Sequence, residues 1–315
     1  MLREVIYFGG GKVAERLYEN ATYSVKAVID NKKKGVWKDN GVEIIPYITI
    51  ADYKQKYSNI QIWITSIAYL HEIERQLDRE GISDYYVPTE IFASNDVPTD
   101  CDIMHEAWPM YLKENFDKSG MEILEIGSRV QTGANFRSLF QHANYTGFDI
   151  YEGENVDVVG DAHCLSKYFN KKFDLIFSSA VFEHLAMPWI ASLEIIKLLK
   201  VNGHIFIETH YSYNSHERPW HFFQFSENAL NVLFPEKFGM ICIKKGCSNL
   251  LENARFSRVA SEYLQGKYVG GLYCHSEFLG KKIAEVSDKE LDWNRVDLGD
   301  VVGATRYPMH EYIKK

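Results

Sequence analysis

MEILEIGSRVQTGANFRSLFQHANYTGFDIYEGENVDVVGDAH, residues 121–163, is the stretch on which the reading of the chain turns. Ile123 to Ile126 is a short apolar run that carries an acid at Glu125 and ends in Gly127. A loop and a helix are expected next, then a second apolar run closing on Asp149. A third, Val156 to Val159, closes on Gly160-Asp161-Ala162. Short apolar runs bounded by glycine and polar turns read as buried strands. Each of these delivers an acid or a glycine at its carboxyl end, and in open α/β sheets the ligand lies in the crevice beyond those ends. The pattern fits a nucleoside.

Upstream the same grammar appears once more. Glu4 to Phe8 reads as a buried strand, followed at once by Gly9-Gly10-Gly11 and a helix over Lys12 to Asn20. Gly9, Gly11 and Ala14 fit G-x-G-x-x-A, and Asp30 ends the next strand, Val25 to Ile29, about 20 residues on, where a ribose-binding acid belongs. Val42 to Ile45, a helix from Thr49 to Tyr57, Ile60 to Thr65, a helix over Tyr69 to Glu80 and a strand near Tyr85 to Val87 continue the alternation. Alternating strands and helices give a small parallel sheet covered on both faces. Turn chemistry at Val97-Pro98-Thr99-Asp100 places the boundary, so the expected domains are 1–96 and 97–315. A helix is expected from Met110 to Phe116, behind Pro109.

The 315 residues allow two domains, and the 46% hydrophobic and 25% charged content is that of globular chains. A formal charge of −8 argues against a nucleic-acid partner, which needs clustered cations; Lys32, Lys33 and Lys34 read as a solvated turn. Five scattered cysteines without a CxxC pair favour reduced thiols. The amino terminus runs straight into a strand pattern, and no apolar run nears the roughly 20 residues that span a bilayer. A cytoplasmic location without membrane insertion is expected.

"YFGGGKVAERL", "VKAVIDN" and "NGVEIIP" resemble the N-terminal nucleotide-sugar-binding domain of bacterial sugar acyltransferases over about residues 1–92. The resemblance implies a nucleotide-sugar site near Gly9, Gly10, Gly11 and Asp30. The alternative is a Rossmann-like domain used for packing or oligomerisation, which leaves a homo-oligomer open. "ILEIGSR", "YTGFDI", "VDVVGDAH" and "FDLIFSSAVFEHL", in that order, resemble class I S-adenosylmethionine-dependent methyltransferases over about residues 119–285. Together the two resemblances imply an α/β protein of two Rossmann-like parallel-sheet domains. The second would have an antiparallel edge, formed by Met240 to Ile243 and Leu272 to Phe278.

That second resemblance assigns cofactor roles. Gly127 lets the backbone pass close under the methionine part, where a β-carbon would collide. Glu125 orders the first loop or meets the ammonium group, Asp149 accepts the ribose hydroxyls, and Asp161 with Ala162 meets the adenine. Ser178 and Ser179 line the sulfonium pocket. The family loop G-x-G-x-G keeps only its outer glycines here, Gly127 and Gly133, with Ser128 to Thr132 between them.

Methyl transfer to an alcohol needs a base within reach of the hydroxyl, and histidine suits that task. The candidates are His184 after the fourth strand, and His210 with His216 after the fifth; Glu183 and Glu208 are carboxylate alternatives. Phe182 to His184 should open a helix that ends at Asn202-Gly203, and His204 to Glu208 should be the fifth strand. His216, Glu217, Arg218, Trp220 and His221 form a polar and aromatic loop suited to a sugar. The same histidines could bind a metal, but H-x5-H-x4-H is no recognised ligand spacing, so no metal residue is assigned and the metal requirement stays open. The reading is an O-methyltransferase acting on a sugar, glycan or nucleotide-linked sugar in surface-polysaccharide synthesis. Its rivals are an NAD- or nucleotide-sugar-dependent enzyme working from the first domain, and a non-catalytic protein on a decayed methyltransferase fold. The tail with Trp293 and Thr305-Arg306-Tyr307-Pro308 reads as packing on the second domain, or as a lid.

Overall fold

The computed structural model describes residues 3–37, 41–46, 55, 60–131 and 133–301. Thr132, the tail from residue 302 on and, but for Gln55, the helix expected from Thr49 to Tyr57 lie outside the described residues. The chain divides into two compact units, Met1–Asn95 with Leu250–Leu272, and Asp96–Asn249 with Tyr273–Lys315.

In the first unit, β1 (Glu4–Phe8), α1 (Lys12–Glu19), β2 (Ser24–Ile29), β3 (Gly35–Trp37), β4 (Val42–Ile45), β5 (Gln61–Ile64), α2 (Leu70–Arg79) and β6 (Tyr85–Tyr86) follow in sequence. The sheet order is β3-β4-β2-β1-β5-β6. All pairs are parallel except β3 with β4, an antiparallel edge that the sequence pattern did not show. β1 is buried from Val5 on because it is central, and Ala14 and Leu17 of α1 with Leu70, Ile73 and Leu77 of α2 close over the sheet.

The segment Leu250–Leu272, which the sequence places with the second domain, is counted with this first unit. Its Tyr268 hydroxyl donates to Glu74 at 2.9 Å, its Gly271 amide donates to the Phe92 carbonyl at 2.6 Å, and the Tyr268 ring packs on Phe92. No shift in composition marks the excursion, which is why the sequence does not show it.

In the second unit, α3 (Trp108–Phe116), β7 (Glu122–Ile126), β8 (Asn144–Asp149), β9 (Val158–Val159), β10 (Phe173–Ser179), α4 (Pro188–Leu198), β11 (Leu199–His210), α5 (Glu227–Val232), β12 (Met240–Leu250) and β13 (Tyr273–Lys282) follow. Their order is β12-β13-β11-β10-β7-β8-β9. β11, β10, β7, β8 and β9 are parallel neighbours, and β13 runs antiparallel to β11 with β12 beyond it. This is the expected α/β class with its antiparallel edge. Leu124, Ile126 and Ile176 face one core, under α4; Ile123, Leu175 and Phe177 face another, where Trp108 of α3 packs on Phe206. That alternation is the period of a strand buried on both faces.

Two local expectations are corrected. No α-helix follows Gly127 among the described residues; a single 3-10 turn, Phe136–Leu139, takes its place. Gly133 and Asn135 interrupt the segment before a second turn can form, and a helix that short has little cooperativity. Asn202-Gly203 does not end α4, which stops at Leu198. Leu199 is already extended and paired with Phe173, and the buried Lys282 ammonium caps the end, donating to the Ile196 and Leu199 carbonyls at 2.9 and 3.1 Å. Asn202, at φ 70°, instead belongs to a loop-out of β11: Phe173 pairs with Leu199, but Leu175 pairs with His204. Among the described residues no helix is long and apolar enough to cross a membrane.

Candidate active site

The carboxyl ends of β7, β8, β9, β10 and β11 gather most of the residues picked out from the sequence. Gly127 leaves β7 at φ 84°, a conformation costly for residues with a side chain, and its amide donates to the Phe148 carbonyl at 2.8 Å. A β-carbon there would lie 2.1 Å from Val181 Cγ2, so only glycine lets the turn after β10 close on this point. Ser128 is buried behind Gly127, and its hydroxyl donates to the Asn155 carbonyl at 3.0 Å. Gly133, at φ 88°, has no neighbour within 4 Å of a built β-carbon, so its role is conformational.

Asp149 ends β8. Its Oδ1 accepts the Tyr151 amide at 2.9 Å, while Arg129 reaches it only at 3.4 Å, through both its amide and its Nε. Three of its roughly four acceptor positions are engaged, but the two 3.4 Å contacts from Arg129 are long enough for stronger donors to displace. Asp161 caps the turn after β9, accepting the His163 amide at 2.9 Å and His163 Nδ1 at 2.7 Å, both on Oδ1. Burial alone would raise its pKa; these bonds override it and hold the group below the usual carboxylate range. His163 Nε2 accepts from the Met187 amide at 3.1 Å, which ties the Asp161-Ala162 turn to the start of α4. Glu125 does not reach the strand ends as freely. Buried beside Gly127, it accepts from the Tyr145 hydroxyl, and burial pushes its pKa up to about 7.

A second set of groups lies after β10 and β11. Ala180 turns sharply at φ 54°, and Phe182–His184 is one 3-10 turn set apart from α4, not its first turn as expected. That turn buries Glu183 completely and aims it at β11, where its Oε2 accepts from the Thr209 hydroxyl. His210 Nδ1 lies 2.7 Å from Glu183 Oε1, but off the direction of a ring hydrogen bond. His216 and His184 stand edge-on at 4.9 Å, and His221 lies 4.6 Å from His216, measured between ring centres. His184 Nδ1 can only donate to the Trp220 carbonyl at 3.1 Å, which leaves the lone pair on Nε2. Burial and the neighbouring histidines lower the pKa of His221. Around this cluster Tyr213, Trp220 and Phe222 are exposed.

Glu208, offered above as a possible base, has no such freedom. It is buried and accepts from His105 Nδ1 at 2.7 Å, Trp108 Nε1 at 3.0 Å and the Ser179 hydroxyl at 2.9 Å. His105 and Trp108, some hundred residues away in sequence, were not anticipated. Three donors fix the carboxylate in place, which makes it a structural acceptor. Its ion-pair partner His105 is held above the usual imidazole range.

Residues 102–247 match the family model of a methyltransferase domain. The chain carries a methyltransferase domain, and its cofactor is S-adenosylmethionine. No curated protein matches the chain. Among solved structures it is similar to the YcgJ protein of Bacillus subtilis (16% identity, 58% of this chain and 100% of that one, TM-score 0.41). It is also similar to a SAM-dependent methyltransferase from Archaeoglobus fulgidus (18%, 56% and 94%, 0.40). A third is the N-methyltransferase NodS from Bradyrhizobium japonicum (14%, 56% and 93%, 0.37).

The donor set of the methyltransferase domain suits that cofactor. An acid that can accept from a vicinal diol ends β8, a second acid with its Oδ2 uncommitted in these bonds follows β9, and a glycine that tolerates no side chain follows β7. In the first unit, the Asp30 carboxylate accepts the Gly10 amide at 3.3 Å, so the acid and the glycine turn do meet. The same carboxylate also accepts the Lys32 and Lys33 amides at 2.8 and 3.0 Å, closing its own turn.

One further group of the methyltransferase domain gives a pH prediction. Glu277 of β13 sits directly across from Glu208, and burial, with the Glu208 charge adding, pushes it from an ordinary 4.5 up to about 8. A carboxyl raised on folding binds its proton more tightly in the native state. Its contribution is complete below 4.5 and is lost as pH rises to about 8. Glu277→Gln is expected to flatten that decline; calorimetric melting at the two ends of the window measures it, and parallel curves for both proteins would contradict the assignment.

Proposed function

We propose that the methyltransferase domain methylates a hydroxyl of a sugar, free or carried on a nucleotide, in surface-polysaccharide synthesis. The observation that carries this is the histidine–carboxylate cluster after β10 and β11, ringed by the exposed faces of Tyr213, Trp220 and Phe222. Sugars stack their apolar faces on such rings and need paired polar groups for their hydroxyls.

When bound, S-adenosylmethionine supplies an electrophilic methyl group. Asp149 holds the ribose hydroxyls, Asp161 Oδ2 and the Ala162 amide the adenine, and Gly127 and Ser128 the methionine end. Much of the rate then comes from alignment of the acceptor oxygen. His184, its Nδ1 pinned by the Trp220 carbonyl, presents Nε2 to take the hydroxyl proton. In the first unit, Gly9, Gly10, Gly11 and Asp30 form a nucleotide-sugar site of that unit's own.

The test is incubation of the full chain with methyl-labelled S-adenosylmethionine and a panel of nucleotide-linked and free sugars. A sugar O-methyl product is expected. Label appearing only on amines or carboxylates would overturn the hydroxyl acceptor, and calorimetric silence toward S-adenosylhomocysteine would overturn the cofactor site.

A further inference from the structure

Two buried polar atoms in the histidine cluster lack a hydrogen-bond partner, Glu183 Oε1 and His210 Nδ1. They face each other at 2.7 Å. Glu183 has no exposed surface and His210 is 8% exposed. They are a close ion pair, but one poorly aligned as a hydrogen bond, and at this depth neither atom has water to complete its coordination. Nor can they relax apart cheaply: Thr209 anchors the other oxygen of Glu183, and the His210 ring lies flat on Tyr213, 4.4 Å between ring centres.

His216 completes the arrangement. Its Nδ1 donates to the Asn214 carbonyl at 2.9 Å, which puts the lone pair of that ring on Nε2. This is the outer-shell hydrogen bond that orients a ligating histidine. One ligand atom from each of Glu183, His210 and His216 lies within 4.8 Å of the others. We propose that these three residues bind a divalent first-row transition cation such as Zn2+, Mn2+ or Fe2+. Two imidazoles and one carboxylate suit such borderline metals, whereas Mg2+ and Ca2+ prefer oxygen donors throughout. Three protein ligands leave coordination positions open, as in catalytic sites.

The sequence left these metal residues unassigned, because the ligands converge from two strand ends and not from a recognised spacing. It rests on the acceptor reading only for the cation's task. There it takes an acceptor hydroxyl oxygen as ligand and makes its proton more acidic. The proton passes to His184 Nε2, the oxygen–carbon bond forms as the sulfur–carbon bond breaks, and S-adenosylhomocysteine leaves as a neutral thioether.

The test is titration of EDTA-stripped full-length protein with Co2+, read by its d–d absorption, alongside calorimetry with Zn2+. One saturable equivalent is expected. Glu183→Gln and His216→Ala should each weaken it at least about tenfold, since even an outer-shell partner contributes about 10- to 100-fold. His142→Ala, whose histidine sits exposed on Asp117, should bind as the parent does; melting curves establish that each variant is folded. Absence of a saturable equivalent, or unchanged affinity in both cluster variants, overturns the site. S-adenosylhomocysteine calorimetry in EDTA separates the two proposals. Cofactor binding without Co2+ binding removes the metal alone, and Co2+ binding without cofactor binding supports the metal site while removing the cofactor reading.

Discussion

Asp149→Ala is expected to weaken S-adenosylhomocysteine binding about 100-fold or more, measured by calorimetry. A carboxylate that accepts both ribose hydroxyls makes two charge-assisted hydrogen bonds, each worth about 1.5–3 kcal/mol, and about 1.4 kcal/mol is a factor of ten. The position of Asp149 makes it hard to replace. It ends β8 next to the amides of Gly127 and Ser128, which both donate to the Phe148 carbonyl. The substitution also removes the acceptor of the Tyr151 amide at 2.9 Å, which costs about 1 kcal/mol of stability and should appear as a modest fall in Tm. A variant that melts near the parent and still binds at full strength would place the ribose elsewhere.

His184→Ala should lower kcat by about 10²- to 10⁴-fold, the usual worth of a positioned general base, while leaving S-adenosylhomocysteine affinity intact. The discriminating readout is the pH profile of kcat. An imidazole base imposes an acidic limb, and that limb should vanish in the variant. A histidine that merely held the loop through the Trp220 carbonyl would give a different signature: a shifted KM, a lower Tm and the same limb. His184→Gln separates these further, because the amide can still donate to that carbonyl but cannot serve as a base.

The positions of the two acids proposed for the cofactor were legible because each lies at or just past the end of its own strand. Asp149 and Asp161 follow short apolar runs, and a strand's carboxyl end can be read from local sequence alone. The Glu183–His210 pair was not legible as a pair, since it exists only because β10 and β11 are neighbours in register, Ser179 opposite Glu208. The partners of Glu208 came from farther still. His105 and Trp108 reach it from α3 and the turn before it, where no periodicity sets them apart from ordinary core and surface residues. Asn202-Gly203 misled for a specific reason: the dipeptide favours positive φ wherever it occurs, and here that conformation serves a loop-out of β11 in place of a helix stop. Gly203 sits there because a β-carbon would come within 2.9 Å of the Phe173 carbonyl.

The excursion Leu250–Leu272 bears on the order in which the chain can be made and folded. The first unit starts at the amino terminus, but Tyr268, which packs on Phe92 and bonds Glu74, emerges from the ribosome only after almost the whole methyltransferase sequence. Joining segments so distant closes a very long loop before the contacts repay it, and such closures are slow. The first unit, its six-stranded sheet already supplied, therefore waits for the contacts that Tyr268 and Gly271 make to Glu74 and Phe92, and a nascent chain stalled before residue 250 should be cut there by protease more readily than the finished protein.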